Sequence, residues 1–221
     1  MVKRATNRPI LLLLYGFPGA GKTYFARQFC DHVQAAHVQA DRIRFELFEK
    51  PRYDKQENDV IAQLMNYMTE EFLNAGISVV YDVNVMRAAQ RHTLRELARR
   101  AAAQPLLVWF QMDLESAYMR NVKRDRRRTD DKYAAAYDRT TFNGIVGHMQ
   151  NPTNVEDYVV TSGKHTFNAQ YASVVRRLRD LGLLGAEDAV PVVKPGLVNL
   201  IPQPSLQGGR VDTSRRNIVI R

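Results

Sequence analysis

Apolar positions along this chain fall into two rhythms. Ile10-Leu11-Leu12-Leu13-Leu14-Tyr15 is an unbroken run, right for a buried parallel strand and too short to span a bilayer. Residues 36–40, 77–81, 106–110 and 158–160 carry similar short runs and predict four more strands. Between the runs, apolar residues recur three and four apart. Phe25, Ala26, Phe29 and Cys30 predict a helix ending near His32. Asp41 to Phe48 reads as a turn or two of helix stopped by Pro51. Ile61, Leu64, Met65, Met68, Phe72 and Leu73 mark the buried face of a longer helix, capped by Asn58 and closed by Gly76. Leu94, Leu97 and Ala98 face inward from a helix over 87–103. Asp113 caps another that passes Ala117 and Tyr118 into the basic run beginning at Arg120. Phe167, Tyr171, Val174, Val175, Leu178 and Leu181 mark a last one, ended by Gly182.

Strands alternating with helices predict an α/β fold: a parallel sheet of about five strands with helices on both faces. In such sheets ligands bind beyond the carboxyl ends of the strands. Asp41, Asp82 and Asp113 each follow a predicted strand, so all three are expected on that rim. From Gly185 onward the rhythm lapses. Pro191, Pro195, Pro202, Pro204, Gly196, Gly208 and Gly209 break regular elements and leave apolar pieces such as Ile218-Val219-Ile220. Residues 1–184 are therefore expected to form the domain, with a lid over about 118–150. Residues 185–221 are a Pro/Gly-rich tail, and its recurring apolar residues favour an extended chain packed along the domain.

The rim acquires chemistry at Gly16-Phe17-Pro18-Gly19-Ala20-Gly21-Lys22-Thr23, which reads G-x-x-x-x-G-K-[ST] without departure. It stands between a predicted strand and a predicted helix, the context that separates a phosphate cradle from an ordinary glycine turn. Glycines let backbone N–H groups turn inward and approach phosphate closely. Lys22 would reach the β- and γ-phosphates, and the Thr23 hydroxyl would take a place on Mg²⁺. The chain is read as binding a nucleoside triphosphate, with ATP and Mg²⁺ as its cofactors.

Composition narrows this only slightly. At 221 residues the chain buries a good core without staples, and one cysteine excludes an internal disulfide and fits a reducing compartment. A net charge of +9 favours polyanionic partners, nucleic acid among them, although many basic proteins have none. Lys3, Arg4 and Arg8 before an apolar run have the outline of a signal peptide. Cleavage near Ala20 would destroy the glycine loop, so a cytoplasmic chain without a membrane segment is expected. The five histidines, His37 among them, show no metal-ligand spacing and are read as structural or surface residues.

Three further stretches give the rim a resemblance. Asp41-Arg42-Ile43-Arg44 follows the second strand, Tyr81-Asp82-Val83-Asn84 ends the third, and Arg120-Asn121-x-x-Arg124 lies in the predicted lid. Together with the glycine loop they resemble the P-loop kinases grouped around polynucleotide 5′-kinase, with zeta-toxin-like and other small-molecule kinases as cousins. The likeness runs from Ile10 to Arg128 and more loosely through the last helix. It implies that Asp41 is the general base on the acceptor hydroxyl and that Arg44 binds the acceptor's phosphate. Asp82 would hold a water on Mg²⁺ or orient an arginine. Arg120 and Arg124 would meet charge on the transferring group, and both are implied to touch ATP. Arg126, Arg127 and Arg128 exceed the family pattern and suit nucleic acid instead.

Plainer alternatives stand beside each reading. Asp41 and Asp82 are also ordinary helix-capping types, and a run of arginines is usually a solvated helix face. Tyr133, Tyr137, Phe142 and His148 suit base stacking, or equally the closure of a small helical subdomain. The expected activity is transfer of the γ-phosphoryl group to a hydroxyl, on a polynucleotide 5′ end or on a small molecule such as a nucleotide-sugar. A non-kinase ATPase and a nucleic-acid-binding module with a nucleotide site remain as other classes.

Overall fold

The computed structural model describes residues 3–124, 133 and 137–185. Five strands form one sheet: β1 (Ile10–Gly16), β2 (Ala35–Gln39), β3 (Ser78–Asn84), β4 (Gln104–Gln111) and β5 (Tyr158–Ser162). Their order is β2-β3-β1-β4-β5 and every pairing is parallel. The strand leading to the glycine loop is therefore central, with β3 on one side and β4 on the other. Seven helices are described: α1 (Lys22–His32), α2 (Ala40–Leu47), α3 (Lys55–Asn74), α4 (Ala88–Arg100), α5 (Leu114–Val122), α6 (Arg139–Gly147) and α7 (Phe167–Asp180).

Why β1 is apolar throughout follows from its position. Alternate residues Leu11, Leu13 and Tyr15 join the cluster built with Ile61, Met65 and Leu73 of α3 and Leu94 and Leu97 of α4. The intervening Ile10, Leu12 and Leu14 are completely buried as well, so the strand has no solvated face. On α1, Phe25 lies 5.3 Å from the Phe110 ring of β4 and 5.8 Å from Phe167 of α7. Phe29 meets Tyr171 at 5.9 Å. Cys30 is buried on the same helix and its thiol is pushed up to about 12, mainly by burial, which makes it a packing residue.

Element ends differ from the sequence expectations in four places. α3 starts three residues before Asn58, because the Asp54 carboxylate accepts the Glu57 N–H at 2.9 Å and caps it earlier. Asn58 lies inside the helix and spends its side chain on Arg44 and the Tyr53 carbonyl. β3 runs on to Asn84, so Asp82 is part of the strand rather than beyond it. α4 ends at Arg100, where Ala102 turns into left-handed backbone and drops Ala103 into the core. α5 stops at Val122, which leaves Arg124 past the helix and removes the expected i,i+4 pairing with Arg120 on one helical face.

Two features hold the rim in place. Arg91 is 1% exposed; its Nε donates to both Glu156 oxygens at 3.0 Å, and its Nη1 donates to the carbonyls of Val85, Met86 and Gln150. One guanidinium thus ties the β3–α4 turn to the segment before β5. Phe142 of α6 is fully buried against Tyr118 of α5, 5.3 Å between rings, so it is a core residue rather than a stacking surface. Arg126, Arg127, Arg128 and the tail from residue 186 lie outside the described residues. Among those described, no helix is long and apolar enough to cross a membrane.

Candidate active site

The glycine loop joins the carboxyl end of β1 to the first turn of α1. Gly21, in left-handed backbone, is the N-cap residue of α1. No side chain caps that helix and its first turn holds no acidic residue, so its leading N–H groups are available to an anion. Gly19 shows why the loop is so close-fitting. It adopts φ +88, and a Cβ there would stand 2.2 Å from the Ala117 carbonyl oxygen of α5. Gly19→Ala is therefore expected to cost about 1–3 kcal/mol for the left-handed backbone alone, with the overlap added. Urea denaturation beside wild type measures it, and an unchanged midpoint would contradict this packing.

Lys22 folds over its own loop, with Nζ donating to the Gly16 carbonyl at 2.7 Å and to the Phe17 carbonyl at 2.9 Å. Burial pulls its pKa down to about 7, against the opposing pull of Asp82. The Thr23 hydroxyl donates to Asp82 Oδ1 at 3.2 Å. From the end of β3, Asn84 Oδ1 accepts the Gly16 N–H at 3.2 Å and sets the loop's starting angle.

A cavity of about 380 Å³ opens over this loop. Gly19, Gly21, Lys22 and Thr23 form its floor; Asp41 of α2, Arg120 of α5 and Arg124 just after α5 line it as well. Asp41 sits in the first turn of α2 but is not its cap, since Gln39 holds that position. Burial raises the Asp41 carboxyl to about 6, with Asp82 adding to the rise and Arg44, Arg124 and Lys22 opposing it. Arg120 Nη1 donates to the Gly163 carbonyl at 2.7 Å, which docks α5 onto the turn after β5.

Other expected site residues lie around this cavity rather than on it. Gly16 and Phe17 border a neighbouring cavity of about 670 Å³, together with Asp113. Asp113 pairs with Lys164 at 2.6 Å and caps α5 through the Ser116 N–H. The Lys164 ammonium is the main reason its carboxyl is held well below the usual range. Pro18 and Ala20 are buried inside the loop. Asp82, 6% exposed, acts on the cavity through Thr23. Arg44 turns away: also 6% exposed, it pairs with Glu57, donates to Asn58 at 2.7 Å and lies 4.5 Å over the Tyr53 ring.

His37 is the residue that spacing did not reveal. Its Nε2 lies 2.9 Å from Asp82 Oδ2, a contact across adjacent strands and 45 positions of sequence. Only the register, which sets Gln39 opposite Asp82, brings the two together.

Thr23 and Asp82 offer two hard oxygen donors side by side beneath the loop. Mg²⁺ takes such a set, because it keeps several waters and uses few protein ligands beside substrate phosphates. Among the described residues no group of three or more His, Cys, Asp or Glu side chains gathers as an all-protein metal cage.

Known proteins resemble the chain at both levels. The L-seryl-tRNA(Sec) kinase of Methanococcus maripaludis is 20% identical over 212 residues, spanning 95% of this chain and 79% of that protein. Kti12 of Chaetomium thermophilum, solved with ADP-AlF3, superposes with a TM-score of 0.59 at 17% identity over 77% of this chain and 97% of its own. The APS kinase CysC of Mycobacterium tuberculosis, solved with AMPPNP and APS, gives 0.57 at 17% identity over 78% and 98%. These structures share the P-loop kinase-like fold. The sequence match to a family covers residues 11–142, from the start of β1 into α6 and so across the whole phosphate loop: the chain belongs to the AAA domain family.

Proposed function

We propose that this protein is an ATP-dependent phosphotransferase that moves the γ-phosphoryl group to a hydroxyl, with residues 1–184 as its catalytic unit. One observation carries the reading: Asp41, a half-buried carboxylate with its pKa raised to about 6, shares a cavity with Lys22, Thr23, Arg120 and Arg124. A switch or motor needs only to orient water, whereas a positioned carboxylate of raised basicity suits proton removal from an attacking alcohol.

The loop amides and Lys22 hold the β- and γ-phosphates, with Nζ exchanging two carbonyl partners for phosphate oxygens. Mg²⁺ bound with the nucleotide neutralises charge on the phosphates; Thr23 and Asp82 are the residues that would hold it. Asp41 accepts the hydroxyl proton as the oxygen attacks in line, opposite the leaving group. Arg120 and Arg124 stabilise charge on the transferring group. Arg44, engaged by Glu57 and Asn58, shapes α2 and adds positive charge beside Asp41, a narrower role than direct grip of an acceptor phosphate.

The acceptor hydroxyl is assigned first to a polynucleotide. The net charge of +9 supports this, and similarity to a kinase named for L-seryl-tRNA supports an acceptor carried on RNA. A small-molecule alcohol is the second choice, supported by the likeness to an APS kinase. The protein is placed in the cytoplasm, where its one buried thiol suits a reducing medium. The test is incubation with γ-labelled ATP, Mg²⁺ and a panel of 5′-hydroxyl RNA and DNA, aminoacylated RNA, nucleosides and sugars. Label transfer to one class names it. Acceptor-independent phosphate release with no labelled acceptor would overturn the kinase assignment.

A further inference from the structure

Beneath the loop, the Asp82 carboxylate is divided between two neighbours. Oδ1 accepts from the Thr23 hydroxyl at 3.2 Å, and Oδ2 lies 2.9 Å from His37 Nε2. A carboxylate oxygen accepts, so the His37 tautomer that suits this contact is the one with its hydrogen on Nε2. Thr23 likewise commits its one proton to Oδ1, which leaves the hydroxyl lone pairs to face the cavity where a cation would sit. Asp82 can keep this orientation only if its Oδ2 edge is also held. His37 does so from β2, with its side chain 21% exposed and that of Asp82 4% exposed.

We infer that His37 is a positioning residue: its N–H fixes the Asp82 carboxylate, which in turn orients the Thr23 hydroxyl so that its oxygen faces the metal of the bound nucleotide. This rests on the kinase reading above insofar as that reading puts Mg²⁺ at Thr23. The general chemistry is that of an outer partner orienting a ligand, where loss of the partner typically lowers metal affinity ~10–100-fold. His37 does not line the phosphate cavity, so its effect must pass through Asp82.

The experiment measures binding, without turnover. The β,γ-imido analogue of ATP is titrated calorimetrically into wild type, His37→Phe, His37→Asn and His37→Gln, each with excess Mg²⁺ and with EDTA. Phenylalanine fills the space without a donor, asparagine is too short to reach Oδ2, and glutamine restores an N–H at about the right distance. The expected result is a ~10–100-fold loss of the Mg²⁺-dependent gain in affinity for the phenylalanine and asparagine variants. Affinity in EDTA should stay at the wild-type value, because Lys22 and the loop amides are untouched. Glutamine should recover most of the gain. A parallel fall with Mg²⁺ and with EDTA would make His37 a mere packing residue and overturn the inference. So would an unchanged Mg²⁺ gain in both donor-less variants. If wild type itself binds the analogue equally well in EDTA, the metal assignment at Thr23 fails, and the role of His37 fails with it.

Discussion

Asp41→Asn is expected to slow phosphoryl transfer ~10²–10⁴-fold while nucleotide affinity stays near wild type, the usual contribution of a positioned base. The substitution keeps shape and polarity but cannot take a proton. Nucleotide binding should survive because Lys22 and the loop amides, the proposed phosphate partners, are untouched. In wild type, transfer should rise with pH through about 6 and then level, as Asp41 becomes the free carboxylate. The asparagine variant should lack that limb.

Stability gives a second readout of the opposite sign. The folded-state pKa of Asp41 lies above its ordinary value of 3.8, so between about 4 and about 6 the native state binds more protons than the unfolded chain. Stability from this group therefore falls as pH rises through that window, and the penalty is complete above it. Asp41→Asn should be at least as stable as wild type at pH 7. A purely dipolar role in the first turn of α2 predicts the reverse: a loss of ~0.3–1 kcal/mol with no change in rate. Single-turnover transfer across pH, a nucleotide titration and urea denaturation separate the two. Undiminished transfer by the asparagine enzyme would remove Asp41 as the base.

How much of this was legible beforehand depended on the distance over which each feature is encoded. The phosphate loop is local: strand, glycines, lysine, threonine and helix lie within 23 consecutive positions from Ile10 to His32, and the backbone follows that order. The burial of β1 was legible too, because a strand covered on both faces has no polar positions to spare. The environment of Arg44 was not. Its partner Glu57 belongs to α3, and the two meet only because the chain reverses through Tyr53, whose φ of +58 no β-branched or bulky residue advertises. His37 and Asp82 are similar, since their contact exists only once β2 and β3 take a particular register. Arg124 shows the limit of helical spacing: a pattern four residues apart placed it on the face of Arg120, yet α5 ends between them. The two arginines reach one cavity by different routes.

That difference separates the roles of Arg120 and Arg124. Arg124→Ala is expected to lower turnover ~10³–10⁵-fold, the range that arginines on a transferring phosphoryl group command, with ATP affinity changed only a few-fold. The charge it is proposed to meet grows between ground state and transition state, so its loss is felt in the rate. Its position supports this, because its charge acts on both Lys22 and Asp41, the groups proposed to grip phosphate and take the proton. Arg120 already donates to the Gly163 carbonyl. Arg120→Ala should therefore release the turn after β5 as well as remove a charge, and weaken nucleotide binding alongside turnover. Lysine at position 124 should recover little, since an ammonium cannot span two phosphate oxygens as a planar guanidinium does. Steady-state kinetics with the acceptor found by the panel, together with nucleotide titrations, measure both effects on the same preparations. If Arg124→Ala lost ATP binding in step with turnover, its charge would belong to the ground-state grip on the nucleotide and not to the transferring group.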